Sequence, residues 1–353
     1  MRKFLGVAAA ILLSAAATGA SAATKATACD EACLKGYMDR YLGALVANTP
    51  KALPFAANLK YTENGARIAP GEAIWVTFTG LGKYRHDFYD TTTGGVASYV
   101  SMTENDQPGL LSIRLKVAAG KITEVETIVS RSNRNAERMA TIDASWREVW
   151  DRKEPEGKRL TRQQLIDGAI NYMRSIAYHE GKRGNFHSDC LRVENGGITA
   201  IAPDGKPPVP MPAAQPGAPA DRPDFIRMGC EKQIDALFVT FIQGFHDAHL
   251  DIVDVERQIV FGTFDFMRRG NVVSYNYEGK DYPIYAGAQF PNEALNSEAW
   301  KFVDGKIMRV EAVFPPTQHY GTGNGWPGTK PELRPIDDTA GGRLKLRPVR
   351  GAK

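Results

Sequence analysis

Asn58-Leu59-Lys60-Tyr61-Thr62-Glu63-Asn64-Gly65 and Asp189-Cys190-Leu191-Arg192-Val193-Glu194-Asn195-Gly196 both close on Glu-Asn-Gly. That ending suits a strand running into a tight turn, because Asn and Gly tolerate the positive φ such turns require. The likeness extends outward from it. Val76-Thr77-Phe78 is echoed by Val239-Thr240-Phe241 and His86 by His249, at one common separation. Further on, Gly120-Lys121-Ile122 with Val125-Glu126 is echoed by Gly305-Lys306-Ile307 with Val310-Glu311. Three matched segments in one order read as a tandem duplication, one copy over 24–131 and the other over 160–326.

Each copy opens with a helical pattern. Leu34, Tyr37, Met38, Tyr41, Leu42, Leu45 and Val46 recur at helical spacing before Pro50, and Thr161 caps a run of Leu165, Ile166, Ala169, Ile170, Met173 and Ile176. β-rich stretches separated by Gly, Asp and Asn turns follow at 60–63, 95–102, 110–117 and 121–130, and again at 238–245, 259–267, 299–303 and 306–314. The fold class is therefore α+β, two tandem cones, each a long helix packed on a curved antiparallel sheet. Residues 132–159, with Met139, Ile142, Trp146 and Trp150 at helical spacing, read as a helical linker. The Pro-rich insertion 202–223 has no counterpart in the first copy and reads as an extended surface loop, and 327–353 as a basic, flexible tail.

The chain has 353 residues, 43% of them apolar and 24% charged, a globular composition long enough for two cores. A formal charge of +4, part of it from Arg2 and Lys3, gives no nucleic-acid signature. Arg2 and Lys3 precede the apolar run Phe4 to Ala16, and Ala20-Ser21-Ala22 offers a signal-peptidase site, so 1–22 read as a secretory signal peptide. No run reaches the roughly 20 apolar residues of a membrane-spanning helix. A periplasmic or extracellular location follows, and four cysteines there read as two disulfides. Local pairing, Cys29 with Cys33 and Cys190 with Cys230, is the simplest of the three arrangements.

The helix, the Glu-Asn-Gly strand with Cys190, Val253-Asp254 with Glu256-Arg257, Ile307 with Val310-Glu311-Ala312-Val313-Phe314, and the exit through Tyr320, Gly321, Gly325 and Trp326 carry a resemblance. Over most of 29–326 the chain resembles a secreted, tandem NTF2-like (SnoaL-like, cystatin-like) family of domains of unknown function. The resemblance implies a conical cavity closed by the long helix. It also implies cofactor-free chemistry in some members (isomerases, dehydratases, epoxide hydrolases, cyclases) and plain binding in many others.

Candidate chemistry begins with Glu63 and Glu194. A carboxylate at the mouth of an apolar cone suits a general acid or base, while one capping a backbone donor or paired with Lys60 or Arg192 is structural. His86 and His249 coincide between copies and are either proton relays or structural histidines. His249 with Asp251 and His187 with Asp189 place a His and an Asp on one strand face, since side chains alternate with period two. The first copy has Ala56, Asn58 and Phe88 at the places of His187, Asp189 and Asp251, so the second is read as the active pocket. Its catalytic candidates are Glu194, His249, Asp251, His187 and Asp189. Glu63, His86, Tyr61, Tyr84 and Tyr99 are binding candidates in the first copy. Glu311 alternates onto the less apolar strand face and is read as outward-pointing and structural.

Neither a cofactor nor a metal is called for. The expected function is a cofactor-independent lyase, isomerase or hydrolase acting on a small hydrophobic or aromatic molecule. The alternative is a non-catalytic ligand-binding or assembly module, with the copies packed as an internal pseudo-dimer.

Overall fold

The computed structural model describes residues 29–133, 135–211, 223–316 and 318–347; the signal peptide expected over 1–22 lies outside them. The protein is mixed α+β and dominated by sheet. Its first half runs α1 (Glu31–Val46), β1 (Phe55–Glu63), β2 (Ala66–Arg67), α2 (Ile74–Thr77), β3 (Phe78–Asp90), β4 (Gly95–Glu104), β5 (Gln107–Ala118) and β6 (Lys121–Ser130). Two short helices follow, α3 (Ala136–Met139) and α4 (Ala144–Asp151). The second half runs α5 (Arg162–Tyr178), β7 (Phe186–Glu194), β8 (Gly197–Ala200), α6 (Cys230–Asp235), β9 (Gly244–Asp254) and β10 (Ile259–Arg268). It continues through β11 (Val272–Tyr277), β12 (Lys280–Pro283), β13 (Asn292–Val303), β14 (Lys306–Val313), β15 (Gln318–His319), β16 (Glu332–Leu333) and β17 (Leu344–Leu346).

Strand order repeats between the halves. The first sheet is ordered β2-β1-β6-β5-β4-β3, and the second contains β8-β7-β14-β13-β10-β9 in the same succession. In both, the first strand lies parallel to the last, β1 on β6 and β7 on β14, and all other neighbours are antiparallel. The shared Asn-Gly explains the hairpins. Asn64, Gly65, Asn195 and Gly196 all take positive φ, giving tight β1–β2 and β7–β8 turns. Each Asn side chain also accepts from the last strand's backbone, Asn64 from Val129 N at 2.8 Å and Asn195 from Phe314 N at 3.0 Å.

The long helices form as their sequences direct. Asp30 caps α1 by accepting from Cys33 N at 2.9 Å, and Thr161 with Gln164 closes a capping box on α5. Leu34, Met38, Tyr41, Leu42 and Leu45 of α1 are buried on the first sheet, and Leu165, Ala169, Tyr172, Met173 and Ile176 of α5 on the second. The other face of each sheet is not solvated. A third core unites Tyr84, Phe88 and Tyr99 of the first half with Leu191, Phe261 and Val313 of the second, and Trp146 and Trp150 of α4 lie in it. Central strands are consequently buried on both faces, as the unbroken burial of β10 and β13 records.

Both disulfides form as paired from the sequence, Cys29–Cys33 and Cys190–Cys230. Three local expectations need correction. Residues 236–243 are not strand: Leu237 takes a positive φ, and consecutive turns (Leu237 N to Ile234 O, Thr240 N to Leu237 O, Ile242 N to Val239 O) carry the chain into β9. The described start of the Pro-rich insertion is not a solvated loop, because Val209 is buried beside the α4 tryptophans and Pro208 O accepts from Asp143 N; 212–222 lie outside the described residues. The tail is not free, since β16 pairs with β9 and β17 with β11. Its Arg334 is buried and donates to His179 Nε2 at 2.7 Å, at the C-cap of α5.

Candidate active site in the second half

The face of the second sheet beneath α5 carries a buried polar group in an otherwise apolar core. Glu298 of β13 is fully buried there and accepts from the Tyr172 hydroxyl at 2.8 Å. Arg192 of β7 lies beside it with its guanidinium toward the Tyr172 ring, ion-paired with Glu194 and donating to Gln233 Oε1 at 3.2 Å. Burial, with the Glu194 charge adding to it, pushes the Glu298 carboxyl up to about 8. Burial likewise raises the Tyr172 hydroxyl well above its ordinary value. Glu298 is therefore largely a neutral acid at pH 7, beside the Arg192–Glu194 ion pair.

The first half is filled at the corresponding place. Tyr41 and Tyr61 stand to Tyr172 and Arg192 as Glu63 stands to Glu194 in the repeat, and the register of β5 against β6 and β13 against β14 puts Ile113 where Glu298 sits. Tyr41 and Tyr61 hydroxyls meet at 2.6 Å, and Trp75 Nε1 donates to Tyr61 at 2.8 Å. An aromatic plug thus replaces the charged set.

The sequence-derived candidates are not brought to one point. Glu194 alone belongs to the polar group under α5. His249 lies on the opposite face of the second sheet, where its Nε2 donates to Glu126 of the first half at 3.0 Å and its Nδ1 to Asp247 O at 3.1 Å. Asp251 follows it, with Oδ2 4.0 Å from Nε2. His187 and Asp189 sit at the surface, where β7 bulges away from β14, 3.9 Å apart and with Asp189 65% exposed. His187 lines a cleft of about 340 Å³ with Gly229–Lys232 and Asp235. Alternation explains the scatter: Arg192 and Glu194 point toward α5, while His249 and Asp251 point toward the first sheet.

The binding candidates divide similarly. Tyr61 is part of the plug, whereas Tyr84, His86 and Tyr99 lie on the other face of the first sheet, against the second half. Glu63 is structural, accepting from Ile74 N at 2.9 Å and pairing at 2.6 Å with Arg131 rather than with Lys60. Glu311 does point away from α5, but onto the first half instead of solvent: His86 Nδ1 donates to it at 2.7 Å and the Tyr84 hydroxyl at 2.5 Å. His86–Glu311 and His249–Glu126 are thus reciprocal pairs, each joining a histidine of one half to the repeated carboxylate of the other. Between them Ser112 and Ser297, equivalent in register, touch at 2.7 Å.

The two pairs differ in charge. Burial would lower the His249 pKa, but Glu126 overrides it and raises it, and both ring nitrogens face acceptors. Glu126, despite burial, is held down to about 2 by His249 and Arg114. For His86 burial prevails over Glu311, and its pKa is lowered.

Sequence reading missed Glu298 because the repeat has no carboxylate at that place. The usable signal was Tyr172 on the apolar face of α5, aligned with Tyr41, since a buried hydroxyl requires a partner.

Residues 28–129 and 158–314 match the family described as Domain of unknown function (DUF8021), more than half of the chain. The chain belongs to this family. The DUF8021 match falls in two tandem regions, as the repeated strand order does. Among solved structures it is similar to a protein of unknown function with cystatin-like fold from Methylobium petroleophilum (12% identity, 55% of this chain and 99% of that one, TM-score 0.26). An uncharacterized cystatin fold protein from Novosphingobium aromaticivorans is similar at 10% identity (42% and 96%, TM-score 0.24). AusH from Aspergillus nidulans is similar at 11% identity (44% and 85%, TM-score 0.26). No curated protein matches the chain. No helix among the described residues is long and apolar enough to cross a membrane.

Proposed function

We propose that the second half is the working part of a cofactor-independent lyase, isomerase or hydrolase for a small hydrophobic or aromatic molecule. The first half is its structural counterpart in an internal pseudo-dimer of two NTF2-like cones. The observation that carries this reading is Glu298, fully buried under α5 and held by Tyr172 at 2.8 Å beside the Arg192–Glu194 pair. A carboxylic acid kept neutral near pH 7 can give a proton to a carbonyl or leaving oxygen. Arg192 supplies the positive charge that favours a developing oxyanion, and Glu194, ion-paired with it, holds the guanidinium in place. This revises the expected set: Glu194 stays, Glu298, Tyr172 and Arg192 join it, and His249, Asp251, His187 and Asp189 leave it.

The filled interior of the first half supports an assembly role for that half, the reciprocal His–Glu pairs being its contacts. Export belongs to the same proposal, because two disulfides call for an oxidising compartment.

A thermal-shift screen of small aromatic and alicyclic carbonyl compounds on the mature chain tests the reading, since a ligand of the native state stabilises it by RT ln(1 + [L]/Kd). Compounds that bind are expected to be turned over, and Glu298→Gln should cut turnover by about 100-fold or more, the usual range for a general acid. Binding without turnover in the wild type would favour the ligand-binding module instead.

A further inference from the structure

Away from Glu298, on the opposite face of the second sheet, β9 and β10 bring together His246, Asp247 and Asp265. One ligand-type atom from each lies within 4.8 Å of the other two. Neighbours in a regular strand point to opposite faces, so His246 and Asp247 should diverge. A bulge prevents this. Asp265 pairs with His246 and Thr263 with His249, leaving one extra residue on β9, and Asp247 there takes a positive φ of 51°. Its carboxylate swings beside the imidazole, with Oδ2 3.2 Å from His246 Nδ1. The segment after β15 then fixes the bulge: Asp247 N donates to Thr329 O at 2.9 Å, and Asn324 Nδ2 donates to Asp247 O at 2.9 Å.

Asp265 is the anomaly. It is fully buried, and neither carboxylate oxygen has a hydrogen-bond partner. A buried carboxylate without donors is among the costliest arrangements a fold can hold. His246 gives it no hydrogen bond, since its Nε2 is engaged by Glu293 at 3.0 Å and its Nδ1 faces Asp247. Glu293 is itself satisfied, accepting from the backbone of Gly321 at 2.7 Å and Thr322 at 3.1 Å. A carboxylate that holds one imidazole nitrogen and so aims the other at a cluster of oxygens is the usual outer support of a metal-binding histidine.

We propose that His246 Nδ1, Asp247 and Asp265 bind a first-row divalent cation, Zn²⁺ or Mn²⁺, with Glu293 orienting the histidine and water completing the coordination. One imidazole and two carboxylates make a mixed nitrogen and oxygen set, which suits these ions better than the all-oxygen preference of Ca²⁺. Bonds of about 2.0–2.2 Å set neighbouring ligand atoms roughly 3–3.5 Å apart, so small side-chain rotations from the present spacing suffice. Asp247, about one-third exposed, is the entry side. The ion removes the Asp265 anomaly and ties β9, β10 and, through Glu293, the segment after β15 into one unit.

Isothermal titration of the full mature chain with ZnCl₂ and with MnCl₂, after stripping with EDTA, tests this. One equivalent is expected to bind at a dissociation constant of micromolar or below for at least one of the two ions, with CaCl₂ binding about tenfold or more weakly and a rise in melting temperature on loading. Asp265→Asn should weaken binding by about 100-fold or more while melting in EDTA no lower than the wild type, because the amide replaces a buried carboxyl that already lacks hydrogen-bond partners. Asp247→Asn, at a partly exposed position, gives the same reading if the Asp265→Asn variant does not fold. Glu293→Gln should weaken binding about 10- to 100-fold, and His187→Ala, at the separate surface pair, should leave it unchanged. Absence of stoichiometric binding of either ion, or equal affinity in the Asp265→Asn and Asp247→Asn variants, overturns the site.

Discussion

Glu298 shows how a single side chain departs from the repeat that organises the rest. Its strand neighbours Ala294, Trp300 and Phe302 face the same apolar core beneath α5, and the equivalent first-half residue, Ile113, obeys that environment. With its folded pKa up at about 8, above the ordinary carboxyl value, Glu298 binds its proton more tightly in the folded than in the unfolded chain. Its contribution is therefore fully present below the unfolded pKa and is lost as pH rises through about 8. Each tenfold difference in proton affinity is worth about 1.4 kcal/mol. Glu298→Gln should leave the melting temperature nearly unchanged at pH 4 and raise it by on the order of 5 °C at pH 9, as differential scanning fluorimetry across pH would read. A larger gain at pH 4 than at pH 9 would show that the carboxyl is not protonated in the fold. The Glu194 expectation reached this polar group only because Glu194 shares a strand face with Arg192; the acid itself stood outside every repeated motif and was illegible.

At the scale of elements, the duplicated motifs made the equivalence of the two sheets readable, though not the strand order itself, since equal segments in equal order specify equal sheets. They did not reveal which face of each strand meets the other half. Alternation distinguishes two faces only when one is wet, and β4, β5, β10 and β13 are buried on both. His86 and His249 therefore looked like pocket residues, and Glu311 like an outward-facing one, when all three are cross-half contacts. His249→Gln and Glu126→Gln should each destabilise the fold by about 2–4 kcal/mol, as expected when one partner of a buried pair is removed. A double-mutant cycle by urea unfolding should show coupling of at least about 1 kcal/mol.

The two histidines should also differ in pH dependence. The raised His249 pKa makes its pair fully stabilising below the unfolded value of 6.5 and weaker as pH rises through the folded one. His249→Gln should thus cost more at pH 6 than at pH 9. His86, with its pKa lowered, takes its proton more readily unfolded, so His86→Gln should cost less at pH 5 than at pH 8. Identical pH profiles for the two variants would contradict the charge difference between the pairs.

Over the whole molecule, the disulfide that ties distant segments together lies in the second half, since Cys29–Cys33 spans only four residues. Cys190–Cys230 closes a loop of 40 residues that contains the Pro-rich insertion, and opening it costs about 4 kcal/mol on chain-entropy grounds. The small sheet ordered β12-β11-β17 and the tail contacts were not legible, because short strands in a basic segment with little apolar content read as solvated chain. Placement gives them a structural role instead. β16 covers the outer edge of β9, β17 pairs with β11, and Leu344 packs with Phe225, Leu237 and Tyr275. Arg174 of α5 pairs with Glu332 at 2.6 Å, and Arg334 reaches His179 at the C-cap of the same helix.

Deleting residues 330–353 would thus expose a sheet edge, leave the buried His179 ring without its donor and strip one wall from a small core. The truncated chain should melt about 10 °C or more below the full one and show raised hydrogen exchange in β9, β11 and the last turn of α5, while α1 and β4 to β6 keep theirs. Arg334→Ala, which removes one buried donor and leaves the strands, should reproduce a fraction of that loss, about 1–3 kcal/mol. An unchanged melting temperature on truncation would return the tail to the solvated segment that its composition describes, and would leave β9 with an edge open to another chain.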